Sequence, residues 1–161
     1  MSAPEGAWDI MRVFPDVAAL KTAQGQELGT SGWVTVDQAM IDRFADATGD
    51  HQWIHVDTQR AQTSTLRTTI AHGFLTLSLL ARLSQETYRV DKLAARLNYG
   101  CNRVRFTQPV PAGGRVRARF KIVKVEDAPQ GLRLTTAAIV ELEGSEKPAC
   151  VAELVGILIP A

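Results

Sequence analysis

Residues 69–88 read TIAHGFLTLSLLARLSQETY and hold the longest helical pattern in the chain. Through the first three turns of this pattern almost every position is apolar. A helix that is apolar nearly all round is normally buried, and a sheet wrapped around it would supply the cover. We therefore predict a long central helix over Thr69–Tyr88.

The segments that follow this helix alternate between apolar and polar residues. In RVRARFKI, residues 115–122, every second residue is apolar and the others are Arg or Lys. This is the period of a strand with one buried face. The apolar phase slips at Val123 and Val125, which indicates a β-bulge. Further strands are predicted over residues 93–106, 132–142 and 150–159, with turns at 127–131 and 143–148.

The first half of the chain has mainly helical signals. Asp37 is a plausible N-cap for a helix that ends at Gly49, where glycine permits a left-handed exit. Short helices are also predicted over residues 14–22 and 57–63, a strand over residues 31–36, and a loop or short extended piece over residues 51–56. Helices followed by antiparallel strands favour an α+β domain, with a curved sheet wrapped around the long helix.

Length and composition fit one domain over residues 1–161. The chain is 45% hydrophobic and 22% charged, without repeats or a linker-like segment. The first residues, MSAPEGAWDI, lack the basic and apolar stretches of a secretory signal, and no apolar run is long enough to span a membrane. We expect a cytoplasmic protein without membrane association, in which Cys101 and Cys150 are free thiols.

The net charge of +1 conceals a basic middle segment. Residues 89–133 carry eleven Lys or Arg and only three Asp or Glu. Such a segment can meet a polyanion, whether nucleic acid, phosphate or a nucleotide. A solvated strand face explains the same pattern equally well, and we do not predict nucleic-acid binding.

Asp50 and His55 form the most informative pair of titratable residues. They lie five apart, just after the predicted end of a helix, in irregular chain where a rigid scaffold often presents catalytic groups. A carboxylate and an imidazole that share a water can exchange protons with it, which is general acid–base catalysis. The structural alternative is that Asp50 caps the following turn and His55 fills an interface.

A metal site is a second interpretation of the histidines. His51 and His55 have i, i+4 spacing, and His72 lies further along the chain. Zinc sites usually need three or four ligands, and the segment between the first two histidines lacks the glutamate of helical zinc hydrolases. We therefore predict no metal.

Gly73 belongs to the segment Ala71-His72-Gly73-Phe74 that opens the long buried helix. Exposed backbone N–H groups at a helix N-terminus favour developing negative charge, and glycine allows a substrate carbonyl to approach closely. Gly73 is therefore a candidate oxyanion donor. Tight helix–sheet packing would also require a glycine there, and His72 would serve equally well as a hydrogen-bonded core residue.

Two segments together resemble the hydratase motif of MaoC-like proteins, with the NodN-like branch as the nearest match. They are TGDHQWIHVD over residues 48–57 and TIAHGFLTLS over residues 69–78. A third segment, LNYGCNRVRFTQPVPAG over residues 97–113, resembles the strand and turn that follow the central helix in this family. The resemblance covers about residues 28–159, so residues before it form a short N-terminal helical extension. The resemblance implies the hotdog fold, in which an antiparallel sheet wraps a long helix, and a homodimer.

The resemblance also implies a reaction, that of an (R)-specific enoyl-CoA hydratase. Asp50 and His55 take the catalytic positions and hold a water that adds across the double bond of a trans-2-enoyl thioester. His55 takes the proton from the water attacking C3, Asp50 supplies the proton to C2, and the N–H of Gly73 takes the oxyanion position. The substrate is an acyl-CoA or acyl-carrier-protein thioester, and no other cofactor is implied.

This chain departs from the family pattern at two places. Gln52-Trp53 replaces the Asn-Pro of many members, and Thr65-Leu-Arg67 replaces a Pro-Phe-Gly-like segment. Both changes affect the expected acyl-chain preference and neither removes a catalytic group. Candidate substrate contacts are Gln52, Trp53, His72, Asn98, Tyr99, Arg103 and Arg105. Either Arg103 and Arg105 or the basic residues of 115–121 would face the nucleotide phosphates of coenzyme A, and a solvated sheet face is the expected role of most of these basic residues.

Two other functions remain compatible with the same fold. Some hotdog proteins hydrolyse acyl thioesters, although these generally lack the Gly-Asp…His element of residues 49–55. A non-catalytic acyl-CoA-binding protein is the third hypothesis, since the altered Gln52-Trp53 pair changes the expected pocket.

Overall fold

The computed structural model describes residues 10–161. The first nine residues, on which the expectation about a secretory signal mainly rests, lie outside this range. The helices are α1 (Val17–Thr22), α2 (Gln38–Thr48), α3 (Trp53–Val56), α4 (Thr58–Thr63) and α5 (Gly73–Thr87). The strands are β1 (Arg12–Phe14), β2 (Glu27–Thr30), β3 (Val34–Val36), β4 (Tyr88–Val90), β5 (Leu93–Phe106), β6 (Gly114–Ala128), β7 (Gly131–Leu142) and β8 (Cys150–Pro160).

One antiparallel sheet forms most of the fold. Its strands lie in the order β2-β6-β7-β8-β5, and β3 pairs with β6 beside β2. Strands β1 and β4 form a separate parallel pair. The long helix α5 packs against β6, β8 and β2. The structure confirms the predicted α+β architecture, with an antiparallel sheet around a central helix.

The alternating pattern of residues 115–122 is confirmed in β6. Its apolar residues are almost completely buried, whereas the residues between them are not. The buried set is Val116, Ala118, Phe120 and Ile122. The pairing of β6 with β7 shifts register between Ile122 and Lys124, which is the bulge that the phase slip predicted.

The long helix starts later than the sequence predicts. It begins at Gly73, and the Thr69–His72 segment is extended instead. The N–H of Ala71 donates to the carbonyl of Val110, and the carbonyl of Thr69 accepts from Ala112. Those neighbours occupy the backbone groups that a helix would have used, so the prediction was wrong by about one turn.

Three shorter elements also differ from the prediction. Residues 14–22 contain the end of β1 and then α1, whose N-cap is Asp16. Only Val34–Val36 of the expected strand over residues 31–36 is a strand. The expected loop over residues 51–56 ends in the single turn of α3. By contrast, Asp37 caps α2 as predicted, and its carboxylate accepts from the N–H of Met40 at 2.8 Å.

The strand β5 is exposed along most of its length on both faces. It pairs only with β8, so its other edge is open within residues 10–161. Leu97, Tyr99 and Phe106 are large apolar residues on it that remain exposed. Helix α5 is likewise not buried all round, because Phe74 in its first turn is 68% exposed. An apolar surface therefore runs from the start of α5 to the edge of the sheet.

Part of the basic middle segment is an ion-paired sheet face. Arg117 and Arg119 on β6 both contact Glu141 on β7, at 2.6 and 2.7 Å. Arg115 contacts Glu143 at 2.8 Å. These cross-strand pairs favour the solvated strand face over a polyanion site for this part of the segment.

Two further findings concern the lengths of the helices and the state of the cysteines. Among the described residues, no helix combines the length and apolarity that crossing a bilayer would need. Cys101 and Cys150 are both free, the first exposed on β5 and the second buried on β8. Burial raises the pKa of the Cys150 thiol to about 11.

Candidate active site

Asp50 follows directly from the end of α2. Gly49 adopts a left-handed conformation (φ 79°), and its N–H donates to the carbonyl of Ala45 at 2.8 Å. A residue with a side chain would be strained there, so glycine turns the chain out of the helix at low cost. The Asp50 side chain is exposed, and its contact with the N–H of Gln52 is long at 3.4 Å. This weak contact gives the capping interpretation little support.

His55 is buried in the turn of α3, with only 6% of its surface exposed. Its Nδ1 lies 2.7 Å from the carbonyl oxygen of Ile70. A carbonyl can only accept, so Nδ1 carries the proton and Nε2 keeps its lone pair. The imidazole is therefore oriented as a base, because a backbone carbonyl fixes its tautomer.

Asp50, His55 and His72 come together in three dimensions. One carboxylate oxygen of Asp50 and one ring nitrogen of each histidine lie within 4.8 Å of one another. A water that hydrogen-bonds to two groups at about 2.8 Å each can bridge up to roughly 5.6 Å. A single water therefore fits between the carboxylate and the imidazole, which is the geometry that acid–base catalysis needs.

Gly73 lies at the first position of α5, beside a cavity of about 320 Å³. A Cβ added at Gly73 would come within 2.5 Å of the Phe106 ring, so the glycine is required for this packing. The N–H groups of the first helical turn have no acceptor inside the helix. Both sequence interpretations of Gly73 are therefore compatible with the structure, because close packing and an available N–H occur together.

The cavity brings His55 and Gly73 to one surface, whereas Asp50 is not among its lining residues. Its lining includes His55 and Gly73 together with residues from α5, the end of β5 and the following turn. Those that sequence reasoning had not selected are Ile70, Ala71, Thr76, Phe106, Thr107, Gln108, Pro109, Val110 and Ala149. Phe106, Thr107, Gln108, Pro109 and Val110 fall within residues 97–113, the third segment that resembles the family, but no spacing rule indicated which of its residues would face the cavity.

Several predicted substrate contacts lie elsewhere. Gln52 and Trp53 do not line the 320 Å³ cavity, and the indole ring of Trp53 packs against the guanidinium of Arg60 at 4.2 Å. Asn98 and Tyr99 line a second cavity of about 450 Å³ between α5 and β5. Arg103 and Arg105 are exposed on β5, near the open edge of the sheet.

Gln38, at the start of α2, is a site residue that sequence reasoning missed. Its Nε2 donates to the backbone carbonyl of His55 at 2.8 Å and to the carboxylate of Asp42 at 2.8 Å. Its Oε1 accepts a short hydrogen bond from the hydroxyl of Thr69. Gln38 therefore connects α2, the turn that carries His55, and the segment that leads to Gly73.

The geometry gives little support to a metal ion among the histidines. His51 is exposed and bonds Asp46 at 2.9 Å, and this hydrogen bond raises the pKa of His51. The rings of His55 and His72 are stacked, with centroids 3.8 Å apart and planes inclined by 23°. A metal lies near the plane of each imidazole that binds it, so two nearly parallel rings cannot share one ion without reorienting.

Known proteins with this sequence pattern are enzymes and relatives of enzymes. The family described as "MaoC like domain" matches residues 19–143. A 3-hydroxyacyl-thioester dehydratase Z of Mycobacterium tuberculosis is 54% identical over 144 residues, covering 89% of this chain and 95% of the relative. Nodulation protein N of Rhizobium leguminosarum is 47% identical, covering 83% of this chain and 85% of the relative.

Solved structures agree on the fold. An (R)-hydratase from A. caviae that is involved in PHA biosynthesis aligns with a TM-score of 0.69 at 22% identity, covering 85% of this chain and 96% of that one. At this identity the likeness shows the fold alone, and it confirms the predicted hotdog fold. With the family match and the two sequence relatives, it leads to one assignment: the chain belongs to the MaoC-like family, as the motifs at residues 48–57 and 69–78 predicted.

Proposed function

We propose that this protein is an (R)-specific enoyl-thioester hydratase, a hydro-lyase that adds water across a trans-2-enoyl thioester. In the reverse direction it dehydrates an (R)-3-hydroxyacyl thioester. One observation carries the proposal: the Asp50 carboxylate and the His55 imidazole lie within 4.8 Å, and His55 and Gly73 line one cavity. The 54% identity to a 3-hydroxyacyl-thioester dehydratase supports the same chemistry.

The proposed mechanism assigns one task to each residue. His55, whose Nδ1–H is held by the Ile70 carbonyl, uses Nε2 to take a proton from the water as its oxygen attacks C3. The electron pair of the double bond moves to the thioester oxygen, where the N–H of Gly73 stabilises the enolate. Asp50 supplies the proton to C2, so its carboxyl group must be protonated when the water attacks and is left as the carboxylate afterwards. Proton transfer from His55 to Asp50, through the next water, restores both groups.

The cavity volume is consistent with a small part of the substrate binding there. About 320 Å³ lies at the low end of the range for small-molecule sites, so it suits the reacting end of the acyl chain better than a whole acyl-CoA. The remainder of the thioester would lie along the exposed surface. Arg103 and Arg105 are exposed nearby on β5 and are proposed to meet phosphates of coenzyme A or of the acyl carrier protein arm.

The decisive experiment follows the ultraviolet absorbance of crotonyl-CoA and the release of free thiol in the same reaction. The proposal predicts loss of the enoyl band without thiol release, and a product of (R) configuration. Thiol release would identify a thioesterase instead. An unchanged band across short and long enoyl chains would contradict both and leave a binding protein.

A homodimer is proposed to accompany this activity. The two faces and the open edge of β5 are exposed in the single chain, and exposed apolar edges are normally covered because they otherwise pair with other chains. The 450 Å³ cavity between α5 and β5 opens onto the same side. A second copy that pairs through β5 would cover the open edge of this strand and the opening of the cavity. A cytoplasmic location is proposed on the sequence expectation alone.

A further inference from the structure

His72 occupies an unusual position between the catalytic pair and the helix. It is the residue immediately before α5, and only 3% of its surface is exposed. Its Nε2 lies 2.9 Å from the backbone carbonyl of Asp50. The carbonyl can only accept, so Nε2 carries the proton and Nδ1 is left with a lone pair. Within residues 10–161, that buried Nδ1 has no hydrogen-bond partner.

The ring of His72 also supports the ring of His55. The two imidazoles are stacked with centroids 3.8 Å apart, and the ring of Phe44 of α2 also contacts His72, with centroids 4.9 Å apart and planes inclined by 52°. His55 is held in its own plane by the bond from Nδ1 to Ile70. The stack adds the missing restraint, because it prevents the His55 ring from tilting out of that plane.

We propose that His72 is a positioning residue that holds the three parts of the catalytic machinery in one frame. It fixes Asp50 through the hydrogen bond to its backbone carbonyl, and it fixes His55 through the stacked ring. It is joined to Gly73 by a peptide bond, so the oxyanion donor belongs to the same rigid unit. This assignment rests on the proposed hydratase function.

The location of His72 argues against its direct contact with substrate, which the sequence had suggested. It is not among the residues that line the 320 Å³ cavity, and the atom that lacks a partner is buried. A residue that acts through others should change kcat far more than KM, since substrate binding does not depend on it. A displacement of about 1 Å in a catalytic group can lower the rate about 100-fold.

A pair of amide variants tests the hydrogen bond. In His72→Gln the side-chain nitrogen stands near the place of Nε2 and can still donate to the Asp50 carbonyl. In His72→Asn the amide is one carbon shorter and cannot reach it. We expect kcat for crotonyl-CoA hydration to fall about 100-fold in His72→Asn, and to stay within about tenfold of wild type in His72→Gln. KM should change less than about threefold in both variants.

His51→Gln is the matched control. His51 is also an imidazole next to Asp50, but it is exposed and bonds Asp46, so its replacement should leave hydration unchanged. The assignment is overturned if His72→Asn retains wild-type kcat. It is also overturned if KM rises in parallel with the loss of kcat. Both amides remove the stacked ring, so equal loss of kcat in the two variants would overturn the role of the hydrogen bond to Asp50 and assign the loss to the stacking on His55.

A measurement without substrate separates this assignment from the proposed function. The chain has three histidines, so ring nitrogens can be assigned by NMR after ¹⁵N-histidine labelling. His72 should show the tautomer with the proton on Nε2, and the Asp50 carbonyl resonance should shift in His72→Asn but not in His72→Gln. If these shifts occur while the wild type hydrates no enoyl thioester, the proposed function fails and the catalytic part of the assignment fails with it, whereas the hydrogen bond by which His72 holds Asp50 is confirmed. Absence of the shifts in an active enzyme overturns the positioning role alone.

Discussion

Asp50 and His55 are held by backbone contacts rather than by each other. Gly49 directs the chain to Asp50, and the Ile70 carbonyl selects the His55 tautomer. We expect Asp50→Asn and His55→Gln each to lower the kcat of crotonyl-CoA hydration by at least about 100-fold, because each removes a proton-transfer group. Loss of the enoyl absorbance measures the rate, and thermal unfolding shows that the variants remain folded.

His51→Gln serves again as the control for these two variants, since His51 lies outside the cluster of Asp50, His55 and His72. Wild-type rates in either catalytic variant would contradict the assignment of that residue. Rates that recover fully at a different pH would instead show that the residue adjusts protonation without transferring the proton.

The close packing at Gly73 makes the position of its N–H sensitive to any added side chain. A methyl group at this position would overlap the Phe106 ring at 2.5 Å, so Phe106 must move and the cavity must change shape. We expect Gly73→Ala to lower kcat/KM for crotonyl-CoA about 100-fold, the loss expected when one oxyanion donor is displaced. Gly100→Ala is the control, because no atom lies within 4 Å of the added methyl group there. Equal rates for both variants would remove Gly73 from the site.

At the scale of elements, Gln38 fixes the geometry between α2, α3 and the start of α5. Its loss leaves the buried hydroxyl of Thr69 and the carbonyl of His55 without a partner. An unsatisfied buried polar group costs about 1–3 kcal/mol, so we expect Gln38→Leu to lower the free energy of unfolding by about 2 kcal/mol. Urea denaturation of the wild type and the variant measures this difference in the free energy of unfolding.

A double-mutant cycle tests whether Gln38 acts through Thr69. Thr69→Val removes the same hydrogen bond from the other side while keeping the shape of the side chain. The double variant should therefore lose less stability than the sum of the single variants. Strict additivity would show that the two side chains are not coupled.

The same elements show why the sequence predicts some features and not others. Strand β6 is predicted correctly because its alternation has a single explanation, a half-buried strand. The Thr69–His72 segment is not, because an apolar run looks alike in a buried helix and in a buried extended segment. The partners that decide between them, Ile54 and Val110, come from other parts of the chain.

Some residues of the candidate site could likewise be predicted from the sequence, and others could not. Asp50, His55 and Gly73 could be selected from local sequence, because each lies in one of two short segments, residues 48–57 and 69–78, that resemble a known family. Gln38 could not, because its partners lie 17 and 31 residues away. The positioning role of His72 likewise depends on a bond to a residue 22 positions earlier. No periodicity or spacing rule predicts hydrogen bonds between residues this far apart in the chain.

At the scale of the whole molecule, the open strand β5 predicts the oligomeric state. We expect light scattering to give about twice the chain mass of 17.6 kDa. Leu97 and Tyr99 are 47% and 64% exposed in the single chain. The double variant Leu97→Lys/Tyr99→Lys should place like charges across the interface and yield monomers. The double variant Val13→Lys/Val123→Lys is the control, because these residues are similarly exposed, at 45% and 40%, and neither lies on β5. A wild-type monomer, or an unaffected dimer in the β5 variant, would contradict the interface.

The two cysteines report on the same interface. Cys101 is exposed on β5 in the single chain, so dimerisation should cover it and slow its reaction with a disulfide reagent. Cys150 should stay unreactive in every form at pH 8. Its pKa of about 11 lies well above that pH, so the thiol stays protonated, and the side chain is buried. In the monomeric β5 variant one thiol per chain should therefore react quickly, and Cys101→Ser should abolish that reaction. Fast reaction of Cys101 in the wild-type dimer would place the interface on another surface of the molecule.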